Sequence, residues 1–318
     1  MKVLVVIVNY KTPDLTLSCV KSLADEVART EAEVRVVVTD NRSPDDSVEV
    51  LQAGFAQMNH PWLKLMPLDR NGGFAYGNNA AVAPALAGED KPDLVWLLNP
   101  DTLVLEGALT ELIRFMQSHP HAGIGGGRAE NRDGSVRRSS FRFHTPLGEL
   151  ESALQFGLAT RILRKYVVAP EIPESAQKVE WVSGASMVIR RDVFEIIGLL
   201  DDAYFMYFEE TDFCLRASRA GFECWYVPQS RIIHLVGQSS GVTGAQRGAK
   251  RRPKYWFESR SRFFDKNYGK MSRHVANLLW LSAYPLGRLW QTLRGKRRDD
   301  PPKLWWDFLR YNYWPCSR

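Results

Sequence analysis

The sequence predicts an α/β protein built on a mostly parallel, doubly wound sheet, and three observations carry that prediction. Short, almost wholly apolar runs at residues 3–8, 34–38 and 94–98 read as strands buried on both faces. Between them lie segments with apolar residues at helical spacing, of which Leu15, Cys19, Val20 and Leu23 are the first set. The connections are short, so strand and helix alternate as in βαβ units.

In order, the strand at 3–8 leaves through the loop Asn9-Tyr10-Lys11-Thr12-Pro13-Asp14 into the first helix. The strand at 34–38 leaves through Asp40-Asn41-Arg42-Ser43, and Asp45-Asp46-Ser47 opens a helix with Val48, Leu51 and Phe55 on its apolar side. A short strand at 63–67 precedes the Gly/Asn loop at 71–79, which opens an Ala-rich helix expected over 80–86. The strand at 94–98 runs into Asn99-Pro100-Asp101, and Pro100, with no N–H to donate, should end its ladder. Leu109, Leu112, Ile113 and Met116 mark a helix, residues 123–127 a glycine-rich strand or turn, and 128–178 a less regular connection or acceptor-facing wall. Residues 181–191 read as a strand interrupted by small residues at 183–186, followed by a helix that stops at Gly198. A helix with acidic residues in its first turn starts at Glu209-Glu210, and strands follow at 224–227 and 232–234.

Composition narrows the class. A 318-residue chain with 45% hydrophobic and 25% charged residues fits one large globular α/β domain with an appendage. The net charge of +6 is concentrated in the C-terminal third, which points to an anionic surface or substrate there, and no nucleic-acid partner is expected. Cys19, Cys214, Cys224 and Cys316 form no CxxC pair, so neither zinc nor a disulfide framework is indicated. The opening residues read as a strand rather than a signal peptide, and no apolar run is long enough to span a bilayer; a cytoplasmic location is the default expectation.

Ligands in open α/β sheets bind at the carboxyl ends of the strands. Three such ends carry polar groups here: Asn9, Asp40-Asn41 and Asn99-Pro100-Asp101. A carboxylate beside an amide oxygen is hard-oxygen chemistry suited to Mg²⁺ or Mn²⁺ carrying a phosphate, although alone it is equally an Asn-Pro-Asp turn. The glycine loop at Asn71-Gly72-Gly73 adds backbone N–H groups suited to an anion. No G-x-G-x-x-G follows the first strand and no G-x-x-x-x-G-K-[ST] occurs, which speaks against dinucleotide enzymes and P-loop kinases and for a nucleotide held through base, ribose and a metal-bound diphosphate.

The ordered set Val8-Asn9-Tyr10, Asp40-Asn41-x-Ser43, Asn71-Gly72-Gly73-Phe74-x-x-Gly77-Asn78-Asn79, Leu98-Asn99-Pro100-Asp101, Trp181-x-x-Gly184-Ala185 and Phe208-Glu209-Glu210-x-Asp212-Phe213 resembles family 2 glycosyltransferases, in particular their rhamnosyltransferase-like branch, over about residues 1–265. The resemblance implies a GT-A fold and inverting transfer from a nucleotide diphosphate sugar, a dTDP- or UDP-sugar and in this branch dTDP-rhamnose, to a glycan or lipid-diphosphate-linked acceptor. It assigns Asn9 and Tyr10 to the base and ribose, Asp40 to the pyrimidine N3–H, and Asn41, Asn71, Gly72, Gly73, Asn78 and Asn99 to the donor side. Asp101 matches the last acid of the DxD motif, with Asn99 in place of the first, so metal binding leans more on the diphosphate. His234 matches a histidine that meets the metal or diphosphate. Glu210 falls at the position of the general base, with Glu209 and Asp212 as alternatives should the helix register shift; the plain alternative is that these acids cap a helix start. Trp181, beside Gly184 and Ala185, is the candidate acceptor platform. The loop after His234, with Arg247, Lys250 and Arg251, is a candidate cover for the diphosphate. A non-catalytic nucleotide-binding or membrane scaffold with a degenerate version of the same fold is the rival reading, and a nucleotidyltransferase a third.

The expected division is a GT-A domain over 1–265, with a nucleotide-sugar half at 1–105 and an acceptor half at 106–265, followed by a helical extension over 266–318. The extension carries Val275, Leu278, Leu279, Leu281, Leu286, Leu289, Trp290 and Leu293 as an apolar stripe, the basic run Arg294-Gly295-Lys296-Arg297-Arg298, and an aromatic segment from Leu304. That chemistry fits either an amphipathic anchor on the inner face of the cytoplasmic membrane or a helical pair packed on protein.

Overall fold

The computed structural model describes residues 1–235, 250–295 and 300–314. The chain forms two compact units, one from Met1–Ser140, Ile172–Phe205 and the segment from Glu209, the other from Phe141–Glu171, Met206–Phe208 and the C-terminal helices.

The first unit opens with β1 (Lys2–Asn9), α1 (Pro13–Arg29), β2 (Glu33–Asp40), α2 (Ser47–Met58), β3 (Leu63–Pro67), α3 (Gly73–Ala87), β4 (Leu94–Leu98), β5 (Thr102–Val104), α4 (Ala108–Ser118), β6 (Ala122–Glu130) and β7 (Val136–Arg137). After β8 (Ser140–Phe141), α5 (Pro146–Leu154) and α6 (Gly157–Ile162), the chain returns with β9 (Gln177–Val179), β10 (Trp181–Val182), β11 (Ser186–Arg190), α7 (Arg191–Ile197), α8 (Glu209–Arg219) and β12 (Glu223–His234). Among the described residues the main sheet has ten strands in the order β3-β2-β1-β4-β11-β6-β12-β5, with β7 beside β6 and β9 beside β12. The β3-β2-β1-β4 half is parallel, β11 lies antiparallel between β4 and β6, and β12 runs parallel to β6.

Apolar patterning explains the layers. Every residue of β4 is buried, and Val5 and Ile7 of β1 meet Cys19, Val20 and Leu23 of α1 in one core cluster. Pro13 starts α1, where its missing N–H costs nothing. Near the other end of α1 the buried Glu26 carboxylate accepts from Gly107 N (2.8 Å) and Leu109 N (3.0 Å), satisfying free donors at the start of α4 and tying the two helices together.

Pairing register decides where polar residues emerge. Asn9 pairs with Asp40, Ile7 with Leu98, Leu98 with Ser186, and Thr102 with His234. The ends of β1, β2, β4 and β12 and the start of β11 therefore share one edge of the sheet.

Three local features differ from the sequence reading. Helix α3 begins at Gly73 rather than near Ala80: Gly73 takes φ +85° at the turn, and Asn78 Nδ2 donates to Phe74 O (2.9 Å), so the Gly/Asn segment is held inside the helix. The strands expected at 224–227 and 232–234 are one strand, with a register shift between Val227 and Arg231 that re-aims its end. The irregular stretch expected at 128–178 contains strand and helix, including α5.

The second unit packs α5 against α9 (Lys254–Tyr268), α10 (Lys270–Leu293) and α11 (Leu304–Tyr313), around Ala153, Phe257, Trp280, Ala283 and Phe308. Gly287 permits the approach of α10 to α5, because a Cβ there would lie 2.3 Å from Ala153 O. Arg260 is fully buried and donates to Glu149 Oε2 (3.0 and 3.1 Å) and Asn277 Oδ1 (2.6 Å). Helix α9 runs unbroken across the division expected at 265. Arg251, expected over a diphosphate, instead makes a two-pronged ion pair with the buried Asp307 (2.6 and 2.7 Å), while Arg247 lies outside the described residues.

Candidate active site

The polar edge of the first unit begins with Asn9 and Asp40, both wholly buried. Asn9 Oδ1 accepts from Thr16 Oγ1 (2.8 Å) and Thr12 Oγ1 (3.2 Å), which turns its Nδ2 toward Asp40 Oδ2 (2.7 Å). Asp40 also accepts from Ser43 N (2.8 Å) and Ser43 Oγ (2.7 Å), so its carboxylate is fixed before any ligand arrives. Tyr10, the next residue after Asn9, is 36% exposed.

The glycine segment closes one side. Asn71 Oδ1 accepts from Gly73 N (3.1 Å), and Asn41 Nδ2 donates to Gly73 O (2.9 Å). Phe74 N donates to Phe205 O (3.1 Å), and a Cβ on Gly73 would sit 1.8 Å from that oxygen, so only glycine fits. At Gly72 a Cβ would strike the Tyr76 ring at 2.4 Å. Asn78 is buried, and its amide holds the first turn of α3.

At the end of β4 the chain turns through Asn99-Pro100-Asp101. Thr102 Oγ1 donates to Asn99 O (2.7 Å) and Cys19 Sγ approaches the same oxygen (3.6 Å), while Asn99 N donates to Ala185 O (3.1 Å). Burial pushes the Cys19 thiol up to about 12, which keeps it a neutral donor. Asp101, 1% exposed, meets His234: Nε2 lies 3.3 Å from Oδ1, with Asn99 Nδ2 3.5 Å from the same ring nitrogen.

The third wall is the start of α8. Tyr207 and Phe208 both have left-handed backbones, φ +71° and +69°, and turn the chain directly into Glu209. Two successive non-glycine residues in that region are strained, as happens at functional sites. Glu209 is buried and Glu210 half-buried. Burial, reinforced by the Glu210 charge, holds the Glu209 carboxyl well above the usual carboxylate range. Burial also raises Glu210, against the pull of backbone donors including Gly184 N. Gly184 faces the Phe74 ring, where a Cβ would meet carbons at 2.9 and 3.0 Å, with Glu210 Oε1 at 4.0 Å. Asp212 differs from both glutamates: it is wholly buried and bonded to Arg216 Nε (2.9 Å), whose guanidinium also donates to Ile197 O and Leu199 O. Trp181 is half-buried on β10, beside Val182, which covers Gly126.

Asn99 and Ala185, Asp101 and His234, and Gly184 and Glu210 are thus brought together as pairs, while Asp212 is turned into an ion pair. Phe74 belonged to the motif Asn71-Gly72-Gly73-Phe74 but was given no role by the sequence; the structure sets its ring against Gly184.

The model for the glycosyltransferase-like family 2 matches residues 2–260. The chain belongs to that family. The family 2 chain is 29% identical over 233 residues to the N-acetylglucosaminyl-diphospho-decaprenol L-rhamnosyltransferase of Mycobacterium tuberculosis, covering 69% of this chain and 72% of that protein. It is 29% identical over 168 residues to the rhamnosyltransferase WbbL of Escherichia coli K12, covering 52% of this chain and 61% of that one. Among solved structures it is similar to the mannosyltransferase PcManGT from Pyrobaculum calidifontis in complex with GDP-Man and Mn²⁺, with a TM-score of 0.54 at 14% identity over 92% of this chain and 74% of that one. It is also similar to GalNAc-T7 with UDP, GalNAc and Mn²⁺, with a TM-score of 0.54 at 14% identity over 74% of this chain and 44% of that one. The fold is GT-A, and this family 2 member is a glycosyltransferase.

Among the described residues no three His, Cys, Asp or Glu side chains stand close enough to hold a metal ion. Asp101 and His234 supply one hard oxygen and one imidazole nitrogen side by side, a donor set that fits Mn²⁺ or Mg²⁺ when a diphosphate completes the coordination.

Proposed function

We propose that this glycosyltransferase transfers a sugar with inversion from a nucleotide diphosphate donor, dTDP-rhamnose by preference over a UDP-sugar, to a glycan carried on a lipid diphosphate. The acid at the start of α8 carries this reading: Glu210, raised by burial and standing by Gly184, is suited to taking a proton. The rhamnosyl and lipid-diphosphate parts rest on likeness to the mycobacterial and E. coli rhamnosyltransferases.

Asn9 and Tyr10 bound the nucleoside site, and Asp40, pre-oriented by Asn9 and Ser43, accepts from the pyrimidine N3–H. Asn41, Asn71, Gly72, Gly73 and Asn78 shape the donor loop, with Asn78 acting through the first turn of α3. Asp101 and His234, with Asn99 beside them, would hold the divalent ion, which when bound would offset negative charge on the leaving diphosphate.

The acceptor hydroxyl lies against Trp181, Gly184 and Ala185. Its oxygen forms the new bond to the anomeric carbon from the face opposite the diphosphate, the old carbon–oxygen bond breaks with its electron pair leaving on the diphosphate, and the hydroxyl proton passes to Glu210. Burial and the Glu210 charge both raise the Glu209 carboxyl, which favours its protonated form beside an ionised Glu210. Asp212 anchors the helix through Arg216. With a lipid-borne acceptor, the working place is the inner face of the cytoplasmic membrane.

The experiment is a donor panel with purified protein, reading hydrolysis and transfer with and without Mn²⁺. Preference for dTDP-rhamnose with loss of turnover on chelation supports the proposal; preference for a UDP-sugar overturns the donor assignment.

A further inference from the structure

Helix α10 is amphipathic in an unusual sense: its outward face is the apolar one. Met271, Val275, Leu278, Leu286, Leu289 and Leu293 are 76, 42, 62, 62, 59 and 74% exposed. At 100° per residue they fall within an arc of about 80°, along a helix roughly 36 Å long. Ser282 and Pro285 share that face, with His274 and Thr292 at its edge, and no Lys, Arg, Asp or Glu of the helix falls on it. The opposite face is already used within the second unit, where Ala276, Asn277, Trp280, Ala283 and Gly287 are buried. The outward stripe is therefore not a core face.

A second apolar pair continues it. Leu158 and Ile162 on the short helix α6 are 59 and 72% exposed. They stand beside the C-terminal half of α10, because Phe156 meets Trp290 edge-on at 4.7 Å and Gln291 Nε2 donates to Gln155 Oε1 at 2.7 Å.

The charge nearest this surface is mostly basic. Lys270 and Arg294 lie at the two ends of α10 and Arg161, Arg164 and Lys165 on and just after α6, whereas Arg273 is paired with Asp265 (2.9 Å) and the buried Arg288 with Asp300 (2.8 Å). Among the described residues no helix is long and apolar enough to cross a membrane.

From this we propose that α10 lies flat in the interface of an anionic lipid bilayer, with Met271, Val275, Leu278, Leu286, Leu289 and Leu293 sunk among the acyl chains, Leu158 and Ile162 beside them, and the flanking cations on the lipid phosphates. A long, uncharged apolar stripe with Lys270, Arg294, Arg161, Arg164 and Lys165 around it is complementary to such a surface. A second copy of the chain fits less well, since pairing two such stripes sets cations against cations. The inference deepens the lipid-borne acceptor of the proposed function and rests on it only for its purpose; the stripe and its charge stand without it.

The test is flotation of the full chain with vesicles of equal phosphatidylglycerol and phosphatidylcholine, against vesicles of phosphatidylcholine alone. Wild type should float with the anionic vesicles and about tenfold less with the neutral ones. The variant Leu278→Glu/Leu286→Glu/Leu289→Glu should lose flotation by about tenfold or more while keeping the wild-type melting temperature and donor hydrolysis, because these side chains are exposed. A second variant, Arg161→Glu/Arg294→Glu, should lose the preference for anionic vesicles and keep its fold. Flotation of the triple variant at the wild-type level, or failure of wild type to float, overturns the proposal. So does a wild-type dimer in solution that the triple variant dissolves, which would assign the stripe to a second copy. Donor hydrolysis is read separately: flotation without any turnover fails the proposed function and leaves the membrane face standing.

Discussion

Asp101 and His234 meet across the pairing of β5 with β12, the imidazole Nε2 3.3 Å from the carboxylate. Neither is placed by its own loop alone. The ladder pairs Thr102 with His234, and Leu235 N donates to Asp101 O at 2.8 Å, so backbone bonds on both sides set the separation. In the proposed metal site each supplies one protein ligand, so both Asp101→Asn and His234→Ala should weaken Mn²⁺ binding by about tenfold to a hundredfold. Titrating Mn²⁺ by thermal shift in the presence of dTDP checks this: the metal-dependent rise in melting temperature should shrink in both variants, and an unchanged titration in either removes that residue from the metal site.

Glu209 makes a stability prediction of definite sign. Burial and the neighbouring Glu210 raise its folded pKa, so the stability it allows is fully present below the unfolded value, about 4.3, and is lost as pH rises through the folded value. Glu209→Gln removes that titration. The variant should therefore gain on the wild type in melting temperature as pH rises from 5 to 8, and melting curves with an equal pH slope for both proteins would contradict the account.

Gly73 combines φ +85° with a backbone oxygen 1.8 Å from the place of a Cβ. Gly73→Ala should cost roughly 2–4 kcal/mol, more than an ordinary surface change, and should loosen the donor loop. Urea unfolding measures the cost. Gly107→Ala, with φ +81° but nothing within 4 Å of the new Cβ, is the control that isolates the clash from the backbone strain.

In the second unit, burial alone would raise the Glu149 carboxyl, but Arg260 and His144 hold it down to about 2. A depressed carboxylate contributes stability above its unfolded value, about 4.3, and loses it as pH falls through the folded value. Glu149→Gln should flatten the acid limb of the stability curve between about pH 4 and 2. Arg260→Ala, which strands the buried Glu149 charge, should cost roughly 3–5 kcal/mol at pH 7. An Arg260→Ala protein as stable as wild type would remove the ion pair from the account.

Much of the parallel half was legible because a strand buried on both faces must be apolar at every position, as Leu94-Val95-Trp96-Leu97-Leu98 is. The start of α3 was not: glycine and asparagine read as loop, and only the positive φ of Gly73 and the bond from Asn78 to Phe74 hold them in a helix. Asp101 was readable as a strand-end acid, but its meeting with His234 depends on an antiparallel register between distant segments, which no local pattern encodes; only family resemblance pointed to that histidine. Likewise the sequence showed three acids near the start of α8 without separating them, because the bond of Asp212 to Arg216 and the exposure of Glu210 are tertiary facts. The apolar stripe of α10 was visible by its period, yet a stripe buried in protein has the same period, and Leu281 and Trp290 prove partly buried while Leu278 and Leu289 face outward.

In the proposed mechanism Glu210 takes the acceptor proton during transfer. The direct measurement is transfer from dTDP-rhamnose to a lipid-diphosphate acceptor by wild type and Glu210→Gln, with donor binding measured alongside. Turnover should fall by about 10²–10⁴-fold in the variant with donor affinity within a few-fold of wild type, and the wild-type rate should rise with pH through the raised pKa of Glu210. Transfer by Glu210→Gln at the wild-type rate would contradict that mechanism.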